Sequence, residues 1–263
     1  MKEKKHNNLN KTFARRIARS LTDINKRALE EVLPVCLFNQ ERLLTSTLDK
    51  KYLEIGFGMG EHFIHQVKHN PLSLYIGAEV FINGVANVLK QISGIKSSNT
   101  NRQVELDKVA PGGERLELML IDKDMSYMKN SSCMVNIGDS NNLLIWPDDV
   151  DLILVQIPSA SLDGIYILFP DPWHKRRYLK KRLLNNMRLA NLKDKLKKKG
   201  FISFASDIED YFLYVKHLFA ESGDFIIQGK DYSLPHEGYV QTKYHQKAIK
   251  EGRVPQFITA TIY

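Results

Sequence analysis

The tightest constraint on this chain lies at Gly164-Ile165-Tyr166-Ile167-Leu168-Phe169, where an apolar, β-rich run meets Pro170-Asp171-Pro172. A run of that composition suits a strand buried on both faces. Neither proline can donate to a ladder, so the strand must stop, leaving Asp171 at its carboxyl end. In an open parallel α/β sheet, ligands bind outside that edge. Trp173, His174 and Lys175 follow at once, placing an aromatic and a basic cluster beside the carboxylate.

The rest of the chain fits the sheet this strand requires. Strands are expected at 51–56, 73–79, 132–137, 164–169, 200–205, 224–229 and near 256–262, and helices at 60–69, 82–92, within 178–198 and at 207–221. Such alternation means an α/β fold with a doubly wound, mostly parallel sheet. Phe63, Ile64 and Val67 share a helix face, as do Ile82, Val85, Ala86, Leu89 and Ile92, so these faces should pack on the sheet. Between 178 and 198 the apolar stripe changes phase, which predicts a kink or two short helices. A polar arm and a helix from Thr22 to Leu33, ended by Pro34, come first. The expected organisation is therefore a basic N-terminal arm and helix over 1–34 and a single domain over 35–263. Residues 93–131 interrupt the alternation and read as an insertion. Within it, Val104 and Leu106 alternate before Pro111-Gly112-Gly113, and Leu116, Leu118 and Leu120 after it, the pattern of either a β-hairpin or a disordered loop.

Of the 263 residues 43% are hydrophobic, enough for a substantial core. Cys36 and Cys133 match no metal or redox spacing, the N-terminus lacks an apolar leader core, and apolar runs fall short of the roughly 18 residues a membrane helix needs. A cytoplasmic protein away from membranes is expected, as monomer or homodimer. The net charge of +8 is concentrated: Pro172 to Lys199 holds twelve Lys and Arg against Asp194 alone, and the first 27 residues hold nine against Glu3 and Asp23. A basic run is usually a solvated face, but beside a candidate catalytic carboxylate it suits a polyanion held where the chemistry happens.

A second ligand signal is Glu54-Ile55-Gly56-Phe57-Gly58-Met59-Gly60, a strand running into glycines and a helix, so that backbone can approach a ligand closely. A dinucleotide fold would want its third glycine at 61, where Glu61 stands instead. Glu79 ends the second strand about 20 residues on, the position from which an acid accepts from ribose hydroxyls. Asp139 either joins it along the sheet edge or caps a following helix. Glu54 is costly in an apolar strand end unless a cation pairs it. Ribose, adenine and positive charge without phosphate describe S-adenosylmethionine better than a nicotinamide.

The stretch Leu53 to Gly60 and Phe169-Pro170-Asp171-Pro172-Trp173-His174-Lys175 together resemble the bacterial tRNA (guanine-N7)-methyltransferases. Further matches are Ile76 to Val80, Gly138-Asp139, Ser206-Asp207, Thr242-Lys243-Tyr244 and Arg15-Arg16, so the similarity covers nearly the whole chain except 93–131. It implies a class I methyltransferase (Rossmann-like) sheet of seven strands, the last antiparallel, with S-adenosylmethionine as donor and the variable-loop guanosine of tRNA as acceptor. Carried over by position, it makes Glu54, Gly56, Gly58, Gly60, Glu79 and Asp139 cofactor contacts and puts Asp171 at the cofactor and reaction centre. Lys175, Asp207, Thr242, Lys243, Tyr244 and His245 would hold the tRNA. The family segment reads Thr-Lys-Phe-Glu, so His245 puts an imidazole where a carboxylate is usual.

Several of these residues carry a second reading. Ser206-Asp207-Ile208-Glu209 is also a capping box, with Ser206 as the cap. Trp173 can stack on a base or support its loop. His62, His65 and His69 have the spacing of metal ligands, yet they lie opposite the apolar face of their helix without a matching acid or cysteine, so a solvated surface and no metal are expected. Two other functions fit the same fold: methylation of a different RNA base, and a tRNA-binding module with weak or no catalysis.

Overall fold

A computed structural model of the chain describes residue 16, residues 20–95 and residues 142–263. The remainder of the arm, the residues beyond 95 for which a hairpin or a disordered loop was expected, the strand expected at 132–137 and Asp139 lie outside the described residues. In chain order the elements are α1 (Asp23–Arg27), a π-helical turn (Ala28–Val32), α2 (Leu33–Cys36), α3 (Gln40–Thr45), β1 (Lys50–Ile55), α4 (Glu61–His69), β2 (Ser73–Ala78) and α5 (Ile82–Ser93). From residue 142 onward come β3 (Leu143–Trp146), α6 (Asp151–Leu154), β4 (Leu162–Leu168), a 3-10 helix (Arg176–Lys181), α7 (Asn186–Lys195), β5 (Leu196–Ser206), α8 (Glu209–Ser222), β6 (Phe225–Ile227), α9 (Lys243–Lys250) and β7 (Gln256–Ile262).

Seven strands form one sheet in the order β3-β2-β1-β4-β5-β7-β6. β1 to β5 pair in parallel, and β7 inserts antiparallel between β5 and β6. β1 pairs with β2 on one side and β4 on the other, so the chain reverses its winding there and opens a crevice at the carboxyl ends. The strand beside β2 is Leu143–Trp146, where no strand was expected. Its residues 143 to 145 are buried, and Tyr75 to Ala78 pair with it in register. The phase change after residue 178 resolves as the 3-10 helix and α7.

Each sheet face carries its own apolar layer. Phe63, Val67, Val85, Val88 and Leu89 from α4 and α5 cover one face, and Leu154, Leu192, Tyr211, Phe212, Val215 and Phe219 from α6, α7 and α8 cover the other. A fully buried aromatic such as Phe63 or Phe219 contributes about 2–3 kcal/mol of burial. The helical segment before the sheet continues past Pro34, which does not end it. Pro34 sits in the first turn of α2, where its missing N–H needs no intrahelical acceptor, and the π turn just before it absorbs the change of register. Ala28, Val32, Leu33 and Cys36 from this segment belong to the same layer as α4 and α5. Phe38 then donates its N–H to the Ile145 carbonyl at 2.8 Å, stitching the segment to β3.

Candidate active site

The five parallel strands each deliver an acid to the carboxyl edge: Glu54 in β1, Glu79 after β2, Asp148 after β3, Asp171 after β4 and Asp207 after β5. Four of them were expected from the sequence; Asp148 was not, and Asp139, the acid expected in its stead, lies outside the described residues. Asp148 accepts from Nη1 of Arg16 at 3.0 Å, and the Arg16 carbonyl in turn accepts the Ile82 N–H at 2.9 Å, pinning Arg16 where α5 begins. Nη2 of Arg16 is buried without a hydrogen-bond partner among the described residues.

The glycine loop turns on left-handed backbone. Gly56, Gly58 and Gly60 have φ of 74°, 57° and 85°, which only glycine adopts at no steric cost. At Gly60 a Cβ would also lie 2.2 Å from the Val88 side chain, so α4 can start against α5 only with glycine there. Glu79 is buried and accepts the N–H groups of Gly58 (2.6 Å) and Phe81 (2.8 Å). Burial pushes its carboxyl up to about 7 against those two donors, and Asp171 adds to the upward shift.

The Pro-Asp-Pro loop is held in a strained shape. Phe169 donates to the Ala205 carbonyl as a last ladder rung, and then both Phe169 (φ 55°) and Trp173 (φ 47°) take left-handed backbone. Bulky residues hold such angles at a cost of about 1–3 kcal/mol each, and only where the surroundings fix them. The fixing residue is Arg182, which sequence reading counted only as part of the basic run. Its buried guanidinium donates to the Pro172 carbonyl at 3.0 Å, pairs with Asp210 and lies 4.6 Å over the Tyr211 ring. Asp171 itself is exposed, while the surrounding protein raises its carboxyl above the usual range. Lys175, Arg176, Arg177 and Lys180 are exposed beside it. Trp173 is half-buried, edge-on to Tyr178 and under Lys181, so it supports its loop.

The Thr242–His245 segment divides by face. Thr242 is buried as the cap of α9, its hydroxyl accepting from the His245 N–H at 3.2 Å, and Lys243 points outward. Tyr244 lies over the glycine loop, 3.1 Å from where a Cβ on Gly58 would sit. Burial raises its phenol pKa, and the carboxylates of Glu79, Asp171 and Glu61 raise it further, so these groups share one cleft. His245 turns the other way: it is buried between Phe169 and Phe257, with Nδ1 2.9 Å from the Tyr239 hydroxyl. Asp207 accepts from Nε of Arg253 at 2.6 Å. Ser206 accepts from the Ile208 N–H, and α8 begins at Glu209 without a side-chain cap, so the expected capping box is absent.

Two expectations about histidine and Glu54 change. His62 is not on a solvated face: it is 1% exposed and contacts Glu54, Gln66 and His236. The cation thought necessary to pair Glu54 is therefore preceded by an internal partner, Nδ1 of His62 at 2.8 Å. No cluster of metal-binding side chains occurs among the described residues, and no helix among them is long and apolar enough to cross a membrane.

An edge of carboxylates, an orphaned guanidinium nitrogen and backbone-exposing glycines suits a cofactor carrying positive charge, hydroxyls and a base. Comparison with known proteins agrees. A family model described as a putative methyltransferase matches residues 49–107 and 114–256. A bifunctional methyltransferase of Rickettsia conorii is 47% identical over 95% of this chain, which spans 40% of that relative's length. The tRNA (guanine-N(7)-)-methyltransferases of Bartonella henselae and Brucella anthropi are each 30% identical over 94% of this chain and over 93% and 92% of their own lengths. A solved antibiotic-related methyltransferase shares the fold with TM-score 0.51 and 17% identity, covering 85% of this chain and 94% of its own. The chain therefore belongs to the family of tRNA (guanine-N7)-methyltransferases and uses S-adenosylmethionine as its methyl donor.

Proposed function

We propose that the protein methylates N7 of the variable-loop guanosine of tRNA, giving 7-methylguanosine. The observation that carries this reading is the exposed Asp171, presented by a strained loop between the cofactor-side Glu79 and the exposed Lys175, Arg176 and Arg177. When bound, S-adenosylmethionine supplies an electrophilic methyl group on a sulfonium. Glu54, Glu79, the glycine loop and Asp148 would hold it, with Tyr244 over the loop. Guanine N7 carries a lone pair and no proton, so no general base is needed and positioning dominates. Asp171 accepts from the N–H groups of the target base and offsets the positive charge that grows on the purine. Lys175 and its neighbours hold backbone phosphates on either side. His245 faces Phe169 and Phe257, so guanine contacts in this reading fall to Asp171 and the outward groups of α9.

Incubation with labelled S-adenosylmethionine and unmodified tRNA, followed by nucleoside analysis, tests this directly. Label in 7-methylguanosine is expected, and tRNA carrying 7-deazaguanosine at the target should stay unlabelled. Label in another nucleoside, or none above background, overturns the proposal.

A further inference from the structure

Beneath the glycine loop lies a buried polar chain that the methyl-transfer step does not explain. Glu54 Oε2 is 2.8 Å from Nδ1 of His62, Nε2 of His62 is 3.0 Å from Nε2 of His236, and Nδ1 of His236 is 2.8 Å from the Ser203 hydroxyl. Glu54, His62 and Ser203 are each 4% exposed or less. Around them the same sheet face is apolar and aromatic, with the Tyr166 ring 4.9 Å from both imidazoles. Replacing a buried ionic group by apolar residues is often neutral or stabilising, so stability alone gives no reason for a carboxylate here.

The proton positions in this chain follow from its neighbours. Gln66 accepts from Asn70 Nδ2 (3.1 Å) and the Tyr75 hydroxyl (3.4 Å) through Oε1, which turns its amide nitrogen toward the Gly238 carbonyl (2.8 Å) and Nε2 of His62 (3.2 Å). An amide nitrogen only donates, so Nε2 of His62 accepts. The proton of His62 then sits on Nδ1 and is donated to Glu54. His236, facing the same accepting nitrogen, must donate from Nε2, which leaves its Nδ1 to accept from Ser203. Burial, and then His62, push the His236 pKa down to about 3, in line with a neutral ring.

We propose that His62 is a positioning residue for the methyl-donor site. Fixed as the Nδ1–H tautomer by Gln66 and His236, it aims the Glu54 carboxylate at the cationic end of the cofactor, and through His236 it fastens the loop before α9 to β1 and α4. The inference rests on the reading of Glu54 as a cofactor contact. It makes the cofactor and substrate sides of the cleft one hydrogen-bonded unit, because the 236–239 loop leads directly to Thr242 and Tyr244. A buried hydrogen-bonded network of this kind rigidifies what it joins.

Two polar variants of the full chain separate the roles of the two ring nitrogens. His62→Asn places an N–H near the Nδ1 position, and His62→Gln places its amide near Nε2 and leaves Glu54 without its donor. The probes are S-adenosylmethionine and 5′-methylthioadenosine, which keeps the adenosine and sulfur but lacks both the sulfonium and ammonium charges. By calorimetry, His62→Gln should weaken S-adenosylmethionine about tenfold or more, the scale of one charge-assisted hydrogen bond, and 5′-methylthioadenosine less than about twofold. His62→Asn should retain most of both affinities. Equal loss of both ligands in the two variants would mark a merely structural role, and unchanged binding in His62→Gln would also overturn the proposal. Glu54→Gln run in parallel distinguishes the two levels. If it leaves the preference for the charged ligand intact, the reading of Glu54 fails. If it abolishes that preference while His62→Gln does not, only the role of His62 fails.

Discussion

The carboxylate of Glu79 accepts the backbone N–H of Gly58 at 2.6 Å while its other oxygen accepts that of Phe81 at 2.8 Å, so one side chain sets both the glycine loop and the entrance to α5. Burial raises this carboxyl from 4.5 to about 7. The folded protein therefore binds a proton that the unfolded chain has released between those values, and the contribution of Glu79 to stability falls as pH rises through that window. Glu79→Gln, neutral throughout, removes the slope. We expect the melting temperature of the wild type relative to the variant to decline from pH 5 to pH 8. A difference that stays constant over that range contradicts the assignment.

Much of this edge was legible in the sequence because it depends on local chemistry. Pro170 and Pro172 stop a strand wherever they stand, and glycines at 56, 58 and 60 announce left-handed turns that the structure has. What escaped depends on elements that meet only in the fold. A helical wheel puts His62 opposite the apolar face of α4, but cannot show that the 236–239 loop covers that side. Arg182 looks like one more cation in a basic run until Asp210 and Tyr211 arrive from α8. β3 is only four residues long, so the apolar segment at 132–137 drew the strand assignment away from it.

Asp171 is exposed, so its removal should cost little stability. If it offsets charge developing on the base, Asp171→Ala should lower kcat by about 10²–10³-fold, as loss of a preorganised electrostatic group does, with the melting temperature within a few degrees of wild type. Asp171→Asn keeps the shape and one accepting oxygen but not the charge, and should be nearly as slow. Because desolvation raises this carboxyl, the acid limb of the wild-type kcat profile should lie above the ordinary carboxylate range. Single-turnover methylation across pH checks all three, and a fast Asp171→Asn enzyme would show that the charge is unnecessary.

His236 titrates far from its usual range because it is buried against His62. Its folded pKa is depressed from 6.5 to about 3, so the unfolded chain gains a proton first as pH falls. The stability it contributes is complete above about 6.5 and is lost progressively toward 3, by a few kcal/mol at most. Ser203, Tyr166 and Tyr239 pack on the ring and give it no anionic partner. His236→Gln keeps a donor toward His62 but cannot take up the proton. Urea unfolding at pH 7 and pH 5 should show a smaller acid loss for the variant than for the wild type.

The basic segment after the Pro-Asp-Pro loop splits into cations that build the loop and cations that face solvent, and the two kinds should fail differently. Arg182 is buried and joins Pro172, Asp210 and Tyr211, so Arg182→Ala leaves the Pro172 carbonyl and the strained backbone at Trp173 without their brace. That loss of a hydrogen-bonded charge should cost about 2 kcal/mol in unfolding free energy and lower kcat, with little change in how tRNA affinity depends on salt. Lys175 and Arg176 are exposed and contact no acid within reach of an ion pair among the described residues. Replacing both with Ala should leave the melting temperature unchanged and flatten the plot of log affinity against log salt by about 1.5 to 2, one phosphate contact each. Unfolding curves and tRNA titrations over a range of salt concentrations measure both quantities on the same samples. The opposite pattern, a salt effect from Arg182→Ala and a stability loss from the double variant, would mean that the two kinds of cation have been assigned the wrong way round.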